Sequence, residues 1–170
     1  MDKQQASIHY NIGRELVAKG ELHSALKHYA QATILNANHA KAWNNMGNLQ
    51  KRLGNFKQAI SCYEASIKAD NSPHVWVNLG NTFLTLGDGG RSIDCYLQAL
   101  KQEPSHILAS INLGVSLIEQ GLLEQAFKHL TNALGQHAGN PELLMVLGDL
   151  YMAAGRAEDA VGAFERALSA

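Results

Sequence analysis

The sequence predicts an all-α solenoid of five antiparallel helix-turn-helix repeats, and three observations predict it. Five glycines, Gly13, Gly47, Gly80, Gly114 and Gly148, stand 34, 33, 34 and 34 residues apart. A second series, Gly20, Gly54, Gly87, Gly121 and Gly155, follows each of them by seven residues. Apolar residues recur at three- and four-residue steps on both sides of each second glycine, as they do on two amphipathic helices joined there. A unit of about 34 residues holds one helical hairpin but cannot bury its own apolar face, so stability must come from stacked neighbours.

Aligned on the first glycine, the units run over about 6–39, 40–72, 73–106, 107–140 and 141–170, one continuous domain over residues 1–170. We call the two helices of each unit A and B. In the first unit, helix A carries Gly13 and helix B carries Ala25, Tyr29 and Ala32. In the second, Trp43, Met46 and Leu49 mark helix A, and Phe56, Ala59, Ile60, Tyr63 and Ile67 mark helix B. The third opens on Pro73 after Ser72, a cap residue followed by a first-turn proline, and Pro104 lies just past its end. The fourth has an A helix that is apolar nearly all round, through Leu108, Ile111, Leu113, Val115, Leu117 and Ile118. The fifth opens on Pro141 after Asn140, and its helix B is expected to expose Val161, Phe164 and Leu168. Small residues recur where two backbones approach: Ala25, Ala59, Ser92, Ala126 and Ala160, then Ala32, Ser66, Ala99, Ala133 and Ala167. Tyr29, Tyr63, Tyr96, Leu130 and Phe164 fill the intervening gap. Glycine inside a helix costs about 1 kcal/mol relative to alanine, so five at one register point to close helix packing.

The strings Trp43…Met46-Gly47…Gly54…Ala59…Tyr63 and Trp76…Leu79-Gly80…Gly87…Tyr96…Ala99…Pro104 resemble the tetratricopeptide repeat, and the resemblance covers essentially the whole chain. It implies a right-handed superhelix whose A helices line a concave groove used for binding proteins or peptides. Unit 3 departs from the pattern where Gly89-Gly90 replaces the bulky residue that normally opens helix B, so that hairpin is expected to be underpacked and a place for a hinge. Co-chaperone members of the family grip a terminal carboxylate with a lysine two and an arginine six residues into the third repeat of the site. Those positions here carry His74 and Asn78, Leu108 and Asn112, or Glu142 and Val146, so no register supplies that clamp.

On inward-facing A helices the decisive residues lie two before the first-series glycines: Asn11, Asn45, Asn78, Asn112 and then Val146. An asparagine amide offers a donor and an acceptor together and can pair with one peptide unit without reading side chains. Neighbouring helices lie about 8–10 Å apart and an extended peptide advances about 3.3–3.6 Å per residue, so one asparagine meets roughly every third residue. The strings Asn45-Met46-Gly47-Asn48, Asn78-Leu79-Gly80-Asn81 and Asn112-Leu113-Gly114 resemble the asparagine-ladder repeats of the intracellular O-linked N-acetylglucosamine transferase, in which a solenoid holds substrate polypeptide by its backbone. The alternative is a duplicated asparagine that only bonds a neighbouring helix. Flanking residues change along the groove, from Arg14, Lys41, Asn44, Asn48, Lys51 and Arg52 to Leu108, Ile111, Val115 and Ile118. A ligand with an acidic or polar part over the first two units and apolar side chains over the fourth is expected; the apolar strip could instead be covered by self-association or by further polypeptide.

The formal charge of −1 conceals nine Lys/Arg against five Asp/Glu in residues 1–72 and five against ten in residues 73–170. Neither half has a basic run, so nucleic-acid binding is not expected. No stretch approaches 18 uninterrupted apolar residues and the N-terminus lacks a signal-peptide core, which suggests a cytoplasmic protein without a membrane span. Cys62 and Cys95 occupy one slot of consecutive repeats, too far apart for a disulfide, and read as half-buried thiols. None of the eight histidines pairs at helical spacing, and no nucleophile has an identifiable base, so no metal, no cofactor and no catalysis are expected. The expected partner is a protein or peptide in the groove. The uncapped last repeat also allows a homo-oligomer, its acidic residues meeting the basic first half of a second copy. The chain could also be the substrate-docking part of a larger enzyme such as a glycosyltransferase.

Overall fold

The computed structural model describes residues 2–170, all in helices and short connections. Among the described residues ten helices follow one another: α1 (Asp2–Ala18), α2 (Leu22–Leu35), α3 (Ala40–Arg52), α4 (Phe56–Ala69), α5 (Pro73–Thr85), α6 (Gly89–Gln102), α7 (Ile107–Glu119), α8 (Leu123–Gln136), α9 (Pro141–Ala153) and α10 (Ala157–Leu168). Odd-numbered helices are the A helices of the repeats and even-numbered ones the B helices. The first begins four residues ahead of the repeat boundary at residue 6. Among the described residues no helix is long and apolar enough to cross a membrane.

The second-series glycines make the turn inside each hairpin. Gly54 has φ +78°, left-handed backbone that an L side chain disfavours. It lets Asn55 N–H reach back to Gln50 C=O at 2.8 Å and Gly54 N–H to Lys51 C=O at 3.0 Å, closing the carbonyls that α3 would otherwise leave open. Between hairpins, side chains cap α3, α7 and α9: Asn140 accepts from Leu143 N–H at 2.9 Å, with Pro141 at the first helical position. His39 and His106 hold the same place before α3 and α7, each accepting through Nδ1 from the amide three residues on, Ala42 or Ala109, at 3.3 Å.

The chain divides into two compact units, the first ending at Thr82 and the second comprising Phe83–Ala170, so the division falls inside α5. In the first unit α1 packs on α2, α2 on α3 and α3 on α4. Here the first-series glycines do what their register predicts. A Cβ placed on Gly13 would lie 2.6 Å from Tyr29 Cε1, and one on Gly47 would lie 2.7 Å from Tyr63 Cε1. Both tyrosines are buried, so the ring takes the volume that any larger residue on the A helix would need. Ser66 sits fully buried on α4 and donates to Ala40 C=O at 2.9 Å, tying helix B to the start of α3.

In the second unit α6 packs on α7, α7 on α8 and α9, α8 on α9, and α9 on α10. Gly114 leaves room for Leu130, whose Cδ2 would be 2.6 Å from an added Cβ, and for Val146 from α9 at 3.2 Å. Gly148 gives its place to the Phe164 ring, so Phe164 is half-buried rather than exposed, while Val161 and Leu168 are 55% and 87% exposed. The underpacking expected at Gly89-Gly90 is not found at Gly89. Gln120, from the turn after α7, fills the space beside it, and Asp88 caps α6 by accepting from Arg91 N–H at 3.0 Å. The missing side chain is replaced by one from the next repeat. Cys62 and Cys95 are free thiols, and both are buried rather than half-buried. Burial pushes the Cys62 thiol up to about 11, which keeps it protonated and unreactive at neutral pH.

Candidate functional site

The asparagines of the first unit do not stand alone. Asn78 Nδ2 donates to Asn44 Oδ1 at 3.0 Å, Asn44 Nδ2 to Asn45 Oδ1 at 3.4 Å, and Asn45 Nδ2 to Tyr29 Oη at 3.4 Å. These bonds run in one direction, from α5 through α3 to α2, and each link after the first is long. Asn48 takes part differently: its Oδ1 accepts from Tyr63 Oη–H at 2.8 Å. The ladder position therefore faces the preceding repeat as well as the surface. Val146 makes the same point where the series stops, since it is buried and packs against Gly114 of the preceding A helix. Bonding to a neighbouring helix is thus part of what these amides do.

Two cavities open beside this chain of amides. One, of about 320 Å³, is lined by Arg14, Val17, Tyr29, Asn45, Asn48, Leu49 and Arg52. The other, of about 190 Å³, includes Lys41, Asn44 and Asn45 with Tyr10, Asp70 and His74. Arg14 also lies 5.9 Å from the centroid of the Tyr10 ring. Asn11 is exposed on α1. Lys51 is half-buried on α3, and burial holds its ammonium below the usual lysine range.

In the second unit Asn112 is half-buried, as is Asn81 in the first. Of the apolar strip on α7, Leu108 is 53% exposed, whereas Ile111, Val115 and Ile118 are half-buried. The strip is narrower than the sequence implies because α7 contacts three other helices of its unit, α6, α8 and α9. Sequence reasoning missed a second apolar surface in this unit. A cavity of about 390 Å³ has Ile93, Leu97, Leu113 and Leu117 among its lining, with Gln125, Lys128, His129 and Asn132 from α8. Leu97, an apolar residue of helix B that lies outside the Ser92, Tyr96 and Ala99 packing positions, is 49% exposed. His129 donates through Nε2 to Ser110 C=O at 3.0 Å, and burial lowers its pKa, so the ring is neutral there at pH 7.

Tetratricopeptide-repeat models match residues 40–72, 77–141 and 117–170, and a model described as TPR repeat matches residues 13–54. By sequence, no curated protein is significantly similar to the chain. Among solved structures, one of the MamA protein superposes with a TM-score of 0.85 at 20% identity, covering 98% of this chain and 91% of that one. YrrB, described as a TPR protein with an unusual peptide-binding site, superposes with a TM-score of 0.78 at 21% identity over 95% of this chain and 84% of its own. PilW, a type IV pilus biogenesis factor, gives 0.79 at 20% identity over 96% and 76%. At these identities the likeness is one of fold, an all-α helical-repeat solenoid. The glycine and tyrosine register, the paired helices and the four matching models agree: the chain belongs to the tetratricopeptide repeat family.

Proposed function

We propose that the chain is a non-catalytic scaffold that binds an extended protein or peptide segment on the face carried by its A helices. The observation that carries this reading is the hydrogen-bonded series Asn78, Asn44, Asn45 and Tyr29, running beside two cavities that contain Arg14, Lys41 and Arg52. Each amide spends one donor on its neighbour and keeps a second N–H, which can pair with the C=O of a bound backbone. Because the amides already hold each other in place, little side-chain freedom remains to be lost on binding. In the second unit the ligand would meet Asn112 beside Leu108 and Ile111, where an apolar side chain could be covered.

The test is selection of binders from a random dodecapeptide display library, followed by titration against the chain with Asn45, Asn78 and Asn112 replaced by alanine. Loss of binding with retained helicity supports the reading. Equal affinity for both chains removes it.

A second reading is favoured by α10, where Val161 and Leu168 stand exposed beside Glu158, Asp159 and Glu165. This surface would join the basic first half of another copy. Light scattering over a salt series tests it: assembly that dissolves as salt rises supports the contact, and a monomer at every concentration and salt sinks it.

A further inference from the structure

The cavity between α1 and α3 has a polar character that the asparagine ladder alone does not require. Its charged residues are Arg14 and Arg52, and no acidic residue lines it. Among the described residues, no carboxylate lies within salt-bridge distance of either guanidinium. Two like charges on one wall repel each other, and a fold that needed neither would not gain from placing them together.

The neutral groups are oriented the same way. Tyr63 donates to Asn48 Oδ1, which occupies the acceptor side of that amide and leaves Asn48 Nδ2 as the group it can offer to a ligand. Tyr29 Oη accepts from Asn45 Nδ2, so its own proton is the part left to give. Burial raises the Tyr29 pKa above its ordinary 10, and the phenol stays protonated throughout the physiological range. The directional series from Asn78 thus ends in a hydroxyl at this cavity. Two guanidinium groups, one amide N–H₂ and one hydroxyl make a cavity rich in donors, with about 320 Å³ to accept a side chain.

We propose that this cavity is an oxyanion subsite that takes an acidic side chain, carboxylate or phosphoryl, from a peptide lying on the A helices. The inference rests on the groove reading above and adds the chemistry of one anchor residue to it. It is not the terminal-carboxylate clamp, whose lysine and arginine positions this chain lacks. Arg14 and Arg52 are exposed on their helices, so they can reach the ligand without disturbing the core.

The experiment uses the dodecapeptides selected from the random display library, titrated by fluorescence anisotropy against the whole chain and against Arg14→Gln and Arg52→Gln. Circular dichroism melts of both variants should match the parent, because neither residue is packed in the core. The expected result is enrichment of Asp or Glu among binders and an affinity about tenfold or more weaker in each variant, as for loss of a charge-assisted hydrogen bond. Replacing the anchoring acid of the peptide by glutamine should cost a similar factor in the parent and little more in the variants. A peptide with phosphoserine at that place distinguishes the two sources: retained binding assigns any oxyanion, and loss assigns carboxylates alone. Binders that are neutral, or acidic binders indifferent to both arginines yet lost on replacing the asparagines, overturn the subsite and leave the groove reading intact. Binders indifferent to arginines and asparagines alike overturn both.

Discussion

Helices α3 and α7 occupy the same place in the second and fourth repeats, and they share a scaffold while differing in almost everything they present. Gly47 admits the Tyr63 ring as Gly114 admits Leu130, and His39 caps α3 as His106 caps α7. Yet Lys41, Asn44, Asn48, Lys51 and Arg52 on α3 correspond to Leu108, Ile111, Val115, Ile118 and Glu119 on α7. Outside the packed pairs Ala42/Ala109 and Gly47/Gly114, only Asn45 and Asn112 agree. The positions that pack one hairpin are tightly constrained by volume, whereas those between them are constrained by whatever the surface meets. A repeat can therefore change its ligand chemistry without changing its fold.

The largest expected effect breaks the shared part. Gly47→Val would drive a branched side chain into the fully buried Tyr63 ring and should destabilise the chain by about 3 kcal/mol or more, read as a lower urea midpoint. Gly114→Ala sharpens the comparison. Its clash is with the end of Leu130, which has more rotamers than a ring, and alanine returns about 1 kcal/mol of helix propensity. It should cost under about 2 kcal/mol, and less than Gly47→Ala. Next in size is Ile111→Asp, which places a charge at a half-buried apolar position of α7. It should cost about 1–3 kcal/mol and remove any apolar ligand contact there, with no effect on binding in the first unit. Tyr63→Phe frees Asn48 from its hydroxyl partner and should cost about 1 kcal/mol, with weaker peptide binding beside α3 and none of that change beside α7.

The smallest effect is a pH dependence. Burial lowers the pKa of His39 below its ordinary 6.5, and protonation would remove the Nδ1 acceptor that caps α3. The unfolded chain takes up that proton first, so this contribution to stability is whole above about pH 6.5 and is lost as pH falls through the lower folded value. His129 in the second unit acts with the same sign. The melting temperature should decline from pH 7 to pH 5, and His39→Asn, which keeps a cap oxygen, should make the decline shallower.

Much of the fold was legible because it depends on spacing. Glycine and tyrosine at fixed separations located the interlocking surfaces, and Asn140-Pro141 located a helix start to the residue. Other features depend on which atoms meet, and periodicity does not carry that. Gln120 fills the space beside Gly89 from another repeat, and Phe164 folds onto Gly148 instead of facing outward. Histidine is an uncommon cap, and the Nδ1 of His39 and His106 acts as one only where the ring lies over the first turn. At the candidate site, the ladder register identified the asparagines, but their mutual bonds and the direction of those bonds arise from the approach of α3 to α2 and α5. Lys51 lies at a groove position by register, and its half-burial is a feature that register alone does not carry.

The central claim is that the amides on the A helices hold a bound backbone, and the side-chain N–H₂ resonances of Asn45 and Asn48 report on it most directly. In ¹H–¹⁵N spectra recorded while a selected peptide is added, both pairs should shift and saturate with the affinity measured by anisotropy. If the peptide binds while both remain unmoved and the changes fall instead on the α6–α8 cavity around Leu97 and His129, the A-helix account is contradicted.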